Sequence, residues 1–249
     1  MIEPRPVHTI VFDLDDTLYP ERDFVLSGFA AVDAWLRETH GAQKFAETAG
    51  ELYTAGHRGK IFDEALPSIG VEPTPKLVAK LVAVYRAHEP KLKLFPDAAE
   101  ILGWATTQFR LALITDGYAE VQIRKIRALG LESIISCRII TDELGRAHWK
   151  PSPEPYRRVM AQYPGPTDGY VYVADNPRKD FIGAKQLGWR TVRARRPGGE
   201  HADYVPTAAE APDEEIASLL SLRQLLSPGD DGPQTAEDRE GRRTTDGAG

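Results

Sequence analysis

The sequence contains a single cysteine, Cys137, among its 249 residues. One cysteine cannot form a disulfide within the chain or supply a zinc site built from several thiolates. No apolar run approaches the ~18 residues that a membrane span requires. Residues 1–6 lack the apolar stretch and the small-residue cleavage site of a signal peptide. We therefore expect a protein of the cytoplasm that has no membrane partner.

The sequence also lacks a large excess of charge of either sign. The formal net charge is −6, and six acidic residues against three arginines place half of that excess in residues 228–249. The rest of the chain gives no electrostatic indication of a nucleic-acid partner. Residues 228–249 contain no aliphatic or aromatic residue except alanine, and we predict that this tail is disordered.

Short apolar runs that end in polar residues are the main structural signal of the sequence. Runs of this kind are typical of strands that helices cover on both faces of a parallel sheet. The three clearest are Thr9–Phe12 before Asp13, Leu111–Ile114 before Thr115 and Asp116, and Tyr170–Ala174 before Asp175. Residues 134–140 and 191–192 are weaker candidates. Helical patterns alternate with the strands from residue 95 onward, so we predict an α/β fold with a doubly wound, Rossmann-like parallel sheet.

Residues 20–94 follow a different pattern, with four helical segments and no convincing strand. Thr74 and Pro75 have the sequence of a helix start, because proline is tolerated at the first helical position. In the following segment, Asp97 and Glu100 have the spacing of a capping box. We predict a catalytic core made of residues 1–19 and 95–227, a small inserted helical domain of residues 20–94, and the tail.

The polar residues after the predicted strands indicate a binding site, because ligands of open parallel sheets bind outside the carboxyl ends of the strands. Asp13 and Asp15 are two residues apart and project to the same side of an extended chain. Carboxylates this close require a cation or a shared proton. Oxygen ligands favour Mg²⁺, and Asp175 adds a third carboxylate. Thr115 and Lys150 add a hydroxyl donor and a positive charge that suit phosphoryl oxygens.

Four stretches of this sequence, in the same order, resemble the four motifs of the haloacid dehalogenase-like (HAD) superfamily. They are Val11–Leu18, Ile114–Gly117, Lys150–Tyr156 and Ala174–Asp180. The helical insertion after the first motif is similar in position and character to the small C1-type cap of the superfamily. Ala174 stands where the fourth motif often has glycine. The dehalogenase branch lacks the second aspartate of the first motif, whereas Asp15 is present here and indicates phosphoryl transfer.

The resemblance implies a role for each carboxylate. Asp13 would attack phosphorus and form an aspartyl-phosphate. Asp15 would protonate the leaving oxygen and then deprotonate the water that hydrolyses the intermediate. Asp13, the backbone carbonyl of Asp15 and Asp175 would hold Mg²⁺. Asp180 would orient Lys150 or a water bound to the metal.

The resemblance also implies the residues that bind the substrate. Thr115 and the backbone N–H of Asp116 would bind phosphoryl oxygens, with Lys150 compensating their charge. Arg58, in a basic loop between two of the inserted helices, is our candidate for contact with the leaving group or the phosphate. The remainder of the inserted domain would select the substrate.

We expect a Mg²⁺-dependent phosphomonoester hydrolase that acts on a small phosphorylated metabolite, such as a sugar phosphate or a nucleoside monophosphate, as a monomer or a homodimer. A phosphomutase of the same fold is the alternative enzyme. The non-enzymatic alternatives are a catalytically silent HAD-like binding protein and a phosphorylated receiver domain, which is much shorter and has no helical insertion.

Overall fold

The computed structural model of the chain describes residues 7–226, which contain one six-stranded sheet. The order of the strands is β3-β2-β1-β4-β5-β6, and every neighbouring pair is parallel. The strands are β1 Thr9–Phe12, β2 Arg110–Thr115, β3 Cys137–Ile140, β4 Tyr170–Ala174, β5 Arg190–Ala194 and β6 Glu214–Ile216. This order is that of a doubly wound sheet, and it confirms the predicted Rossmann-like core.

Nine α-helices surround or follow the strands in the described part of the chain. Four lie between β1 and β2 before the core resumes: α1 Glu21–His40, α2 Phe45–Thr54, α3 Ile61–Ser68 and α4 Pro75–Ala87. The others are α5 Pro96–Ala105, α6 Ala119–Ala128, α7 Glu154–Gln162, α8 Asp180–Gln186 and α9 Leu222–Leu226. Short 3-10 helices span Leu131–Ser133, Thr141–Leu144, Arg146–His148, Thr167–Gly169 and Leu219–Ser221. No helix within residues 7–226 is long and apolar enough to cross a membrane.

The hydrophobic residues form three clusters. Successive residues of β1 point to opposite faces of the sheet, so that Ile10 and Phe12 join one cluster and Val11 joins the other. Both faces are buried, which explains why the strand sequences are continuously apolar rather than alternating. The third cluster belongs to the four inserted helices and includes Phe29 and Phe45. The insertion therefore has an apolar core of its own.

The two predicted helix starts have different outcomes. Pro75 is the first residue of α4, and the Thr74 hydroxyl accepts the backbone N–H of Leu77 at 3.3 Å, which confirms that start. The capping box at Asp97 is wrong, because α5 begins one residue earlier, at Pro96. The Asp97 carboxylate instead accepts the backbone N–H of Leu219 at 2.8 Å.

Two further points concern the end of the chain. Strand β6 has no signal in the apolar pattern, because two of its three residues are exposed glutamates, Glu214 and Glu215. It pairs only with β5, at the edge of the sheet. The predicted tail, residues 228–249, lies outside the described residues, as does residue 227 at the predicted end of the core.

Candidate active site

The site lies where the central strand β1 and its neighbours β2 and β4 end. Phe12 pairs with Leu113 on one side and with Val173 on the other. Asp13 and Asp175, which follow β1 and β4, and Thr115, the last residue of β2, are consequently brought to one edge of the sheet. The backbone N–H of Asp13 donates to the carbonyl of Val173 at 2.9 Å, which fixes the start of the loop after β1.

Lys150 connects two of the carboxylates at this edge. Its Nζ lies 2.6 Å from Asp13 Oδ1 and 2.7 Å from Asp180 Oδ1, and its side chain has no exposed surface. The Tyr172 hydroxyl accepts a further hydrogen bond from this ammonium at 3.1 Å. Burial disfavours the charge of Lys150, but the carboxylates of Asp13 and Asp180 raise its pKa well above the usual value. Lys150 is therefore a permanently charged group of the site.

The loop that carries Lys150 is fixed at both ends. The backbone N–H of Lys150 donates to Asp116 Oδ1 at 3.2 Å, and the Lys150–Pro151 peptide bond is cis. On the other side the loop packs against α8 at Gly183. A Cβ at that glycine would lie 2.7 Å from the Pro151 carbonyl oxygen and 2.8 Å from the ring of Tyr156. Only a glycine lets the loop approach the helix this closely.

Three carboxylates form a cluster that suits a divalent cation. Asp13, Asp175 and Asp180 each offer an oxygen, and these atoms lie within 4.8 Å of one another. Burial raises the pKa of Asp13 to about 7 against the opposing effect of Lys150. Burial and the neighbouring carboxylates also raise the pKa of Asp175 well above its ordinary value. Oxygen donors of this kind are the ligands that Mg²⁺ prefers, and their charges repel one another unless a cation balances them.

The carboxylate of Asp15 is directed to α6 and is not part of this cluster. Its Oδ1 accepts from Lys125 Nζ at 2.6 Å and from the Tyr19 hydroxyl at 2.5 Å. Its Oδ2 accepts from Gln122 Nε2 at 3.0 Å. Burial alone would raise the pKa of Asp15, but the charge and hydrogen bond of Lys125 lower it below the ordinary value.

Thr115, the last residue of β2, and Asp116, which follows it, lie beside these groups. Thr115 is buried, and its Oγ accepts from Gln122 Nε2 at 2.5 Å, which leaves the hydroxyl proton free to be donated. The Asp116 carboxylate accepts from the Thr141 hydroxyl at 2.8 Å and pairs with Lys179 Nζ at 3.2 Å. Burial opposes the ionisation of Asp116, but Lys150 and Lys179 lower its pKa below the ordinary value.

Asp16, directly after Asp15, caps the first inserted helix. It has a left-handed backbone with φ of 52°, and its carboxylate accepts the backbone N–H of Glu21 at 2.9 Å. Asp16 lines three pockets, two of which contain a predicted substrate-binding residue, Asp116 or Arg58. One is an acidic pocket lined mainly by the groups described above: Asp13, Asp15, Asp16, Glu21, Asp116, Asp175, Asn176, Lys179 and His201.

Arg58 lies in the other pocket, between the inserted helices and the segment after β5. One guanidinium nitrogen donates to the carbonyl oxygens of Tyr53 and His57, and the other pairs with Glu200 at 3.1 Å. Its guanidinium also stacks over the Tyr53 ring at 4.0 Å. The structure therefore brings together all the predicted core residues, whereas Arg58 is next to them and already has a carboxylate partner.

Four residues of the site were absent from the sequence-based predictions: Gln122, Lys125, Tyr172 and Lys179. Gln122 and Lys125 are three positions apart on α6 and share a face, but two polar residues at this spacing are common on solvated helices. Tyr172 looks like one more apolar residue of β4. Lys179 lies inside the fourth motif, one residue before Asp180, and is the one member of the set that its position could have indicated.

The chain is similar in sequence to known hydrolases. Residues 10–194 match the family described as haloacid dehalogenase-like hydrolase. The chain is 32% identical over 233 residues to a glyceraldehyde 3-phosphate phosphatase of Methanopyrus kandleri, covering 88% of this chain and 97% of that protein. It is 31% identical over 201 residues to a phosphoserine phosphatase of Thermus thermophilus, covering 78% of this chain and 74% of that protein.

A solved structure agrees with these sequence relatives. The fold is similar to that of the putative HAD-hydrolase YfnB from Bacillus subtilis, which was determined bound to magnesium. The TM-score is 0.64 at 20% identity, and the match covers 90% of this chain and 100% of the other. Because the family match extends over most of the described residues, the chain belongs to the haloacid dehalogenase-like hydrolase family, in the phosphatase branch that its sequence relatives represent.

Proposed function

We propose that this phosphatase hydrolyses a small phosphomonoester through an aspartyl-phosphate on Asp13 and requires Mg²⁺. The observation that carries the proposal is the position of the Asp13 carboxylate. It lies in a cluster with Asp175 and Asp180, and the Lys150 ammonium is 2.6 Å away. A buried carboxylate next to an ammonium, and next to carboxylates that can bind a metal cation, is suited to attack a phosphoryl group. The ammonium and the metal cation would compensate the negative charge of that group.

In the first step, an oxygen of Asp13 attacks phosphorus while the bond from phosphorus to the leaving oxygen breaks. Asp15 gives its proton to that oxygen, so that an alcohol leaves rather than an alkoxide. In the second step, water attacks phosphorus, the bond from phosphorus to Asp13 breaks, and Asp15 takes up the water proton. The products are the alcohol, inorganic phosphate and the original protein.

The remaining residues bind the transferred group. Thr115 donates its hydroxyl proton to a phosphoryl oxygen, the backbone N–H of Asp116 donates to another, and Lys150 compensates their charge. Mg²⁺ held by Asp13, Asp175 and the backbone carbonyl of Asp15 would neutralise further negative charge on the substrate. Asp180 keeps Lys150 in place through the contact at 2.7 Å.

The substrates of the relatives suggest where to look for the physiological ester. One relative acts on glyceraldehyde 3-phosphate and another on phosphoserine. A third, 28% identical over 239 residues, is a ribulose-1,5-bisphosphate 5-phosphatase. We propose a sugar phosphate or a nucleoside monophosphate, with its organic part in the pocket next to Arg58. The four inserted helices would act as a C1-type cap that selects this part of the substrate.

The test is release of inorganic phosphate from p-nitrophenyl phosphate and from a panel of phosphorylated metabolites, with Mg²⁺ and with EDTA. We expect release that stops with EDTA and in Asp13→Asn, and a phosphorylated peptide containing Asp13 after an acid quench. No turnover by the wild type would support the silent binding protein instead. Formation of an isomeric phosphate ester without free phosphate would identify a phosphomutase.

A further inference from the structure

The inference concerns the face of α6 that points to the site. Gln122 and Lys125 are the two buried polar residues of this helix, with exposures of 1% and 3%. A buried polar side chain costs free energy unless its hydrogen bonds are made. Both residues make those bonds to groups of the proposed reaction, Asp15 and Thr115, rather than to their own helix.

The carboxylate of Asp15 is held at both of its oxygens. Lys125 and Tyr19 donate to Oδ1 at 2.6 and 2.5 Å, and Gln122 donates to Oδ2 at 3.0 Å. With donors on both oxygens, the carboxylate cannot rotate about its own bond without losing a contact. A carboxylate held in this way keeps a fixed orientation, which general acid–base catalysis requires of the group that exchanges the proton.

Gln122 also links Asp15 to the residue that binds the phosphoryl group. The same amide nitrogen that donates to Asp15 donates to Thr115 Oγ at 2.5 Å. The proton donor and the phosphoryl-binding hydroxyl therefore contact one atom of one side chain. Their separation is set by α6 and not only by the ends of β1 and β2.

The first inserted helix, α1, packs on Lys125 from the other side. The ammonium lies 4.5 Å from the centre of the Phe24 ring and 3.8 Å from the Glu21 carboxylate. These contacts shield Lys125 from water. The nearest hydrogen-bonding partner of its ammonium is Asp15 Oδ1, at 2.6 Å.

From this geometry we propose that Gln122 and Lys125 are positioning residues, which hold Asp15 in line with the oxygen that leaves the phosphoryl group bound at Thr115. The inference rests on the proposed phosphatase reaction and goes beyond it, because both residues act through Asp15 and not directly on the phosphoryl group or the leaving oxygen. Its consequence is that removing either residue impairs proton transfer to the leaving group more than it impairs attack by Asp13.

The test compares two esters that differ in their need for a proton. Benzyl phosphate releases an alcohol and depends on the general acid, whereas p-nitrophenolate leaves without a proton. The value of kcat/KM reports the steps through formation of the phosphorylated protein. General acid catalysis typically contributes on the order of 10²–10⁴-fold. We expect Lys125→Met and Gln122→Met each to lower the benzyl to p-nitrophenyl ratio of kcat/KM by about tenfold or more.

Both esters are measured with the same preparation of each variant. A smaller fraction of folded protein lowers both values of kcat/KM by the same factor and leaves their ratio unchanged. Arg127→Met is the matched control, since Arg127 is on the same helix with a side chain that is 62% exposed and pairs with Glu132. It should leave the ratio at the wild-type value. An unchanged ratio in both Lys125→Met and Gln122→Met would overturn the inference while leaving the phosphatase intact. A wild type that hydrolyses neither ester would overturn both proposals.

Discussion

Two buried lysines of the site each contact one aspartate of the first motif at the same distance, yet the two aspartates differ in their acidity. Lys150 lies 2.6 Å from Asp13 and Lys125 lies 2.6 Å from Asp15. Burial raises the pKa of Asp13 to about 7 despite its lysine, whereas Lys125 outweighs burial and lowers the pKa of Asp15.

The neighbours of each pair explain the difference. Both carboxylates are buried, but Asp13 shares Lys150 with Asp180, and the Asp180 carboxylate raises the pKa of Asp13. Around Asp15 the additional contacts are the neutral donors Tyr19 and Gln122, each of which favours the charged carboxylate. The distance of a single ion pair is therefore a poor guide to the protonation of a buried carboxylate, because burial and the other neighbouring charges and donors also shift its pKa.

The largest expected effect comes from removing Lys150. Lys150→Met should lower kcat/KM by roughly 100- to 1,000-fold, the typical loss for one preorganised donor of a transition state. Because Lys150 compensates phosphoryl charge in both cases, p-nitrophenyl and benzyl phosphates should lose equally. Lys185→Met, whose lysine pairs with Asp213, is the control and should keep full activity. A loss of activity confined to benzyl phosphate would assign Lys150 to proton transfer. The two lysines would then no longer have different roles.

The second prediction tests the acidity of the two aspartates directly. In the metal-free protein, NMR of the carboxyl carbons should show Asp13 titrating with a pKa of about 7 and Asp15 with a pKa below 3.8. Between these two pH values, the unfolded pKa of 3.8 and the folded pKa of about 7, Asp13 is protonated in the folded protein and ionised in the unfolded chain. The Asp13 contribution to stability accordingly falls as pH rises from about 4 to about 7. Asp13→Asn should remove that part of the slope. Titration of Asp13 at its ordinary pKa would contradict the comparison.

The third prediction disturbs the Lys150 loop without changing a charge. Gly183→Ala places a methyl group 2.7 Å from the Pro151 carbonyl oxygen, so the loop must move. We expect a loss of about 1–3 kcal/mol in the free energy of unfolding, the usual cost of overpacking, measured by urea denaturation. Activity should fall for both esters, while the ratio that reports on Lys125 stays constant.

The matched control for this variant is Gly103→Ala, in the last turn of α5. A Cβ at Gly103 has no atom within 4 Å, and alanine is favoured over glycine inside a helix by roughly 0.5–1 kcal/mol. That variant should be slightly more stable than the wild type. Equal stability changes in Gly183→Ala and Gly103→Ala would show that the loop tolerates the methyl group.

The smallest effect concerns Asp97, a carboxylate paired outside the site. Burial opposes its ionisation, but Arg196 and the backbone N–H of Leu219 lower its pKa. A lowered pKa means that the pair stabilises the fold above pH 3.8 and that this contribution is lost as pH falls through the lower, folded value. Asp97→Asn should cost about 1 kcal/mol or less at pH 7 and less still at pH 3, by urea denaturation. An equal cost at both pH values would contradict this.

The sequence predicted the parts of the molecule that depend on short segments. The apolar runs before Asp13, Thr115 and Asp175 are buried strands, and their polar ends meet because β1 lies between β2 and β4. Helix starts were less predictable: Thr74 caps its own helix, whereas Asp97 finds a partner 122 positions away. A local spacing rule has no information about such a distant competitor.

The side chains least predictable from the sequence are those that hydrogen-bond to the predicted site residues rather than to the substrate. Tyr172 is typical of a strand core, and only the folded structure shows its hydroxyl next to Lys150. Lys125 and Gln122 belong to a helix whose sequence looks like any amphipathic surface helix. The burial of Lys125 depends on α1, whose Phe24 ring lies 4.5 Å from the ammonium. Contacts between distant segments of this kind are not encoded in the spacing of one helix.

The two ends of the helical insertion are joined by one backbone contact. The N–H of Phe95, where the chain returns to the core, donates to the carbonyl of Leu18, where it leaves, at 2.9 Å. Because Leu18 and Phe95 are this close, a short turn could replace the whole inserted segment without altering the register of the sheet. The inserted helices can therefore change in length or sequence while the strands that carry Asp13, Thr115 and Asp175 keep their places.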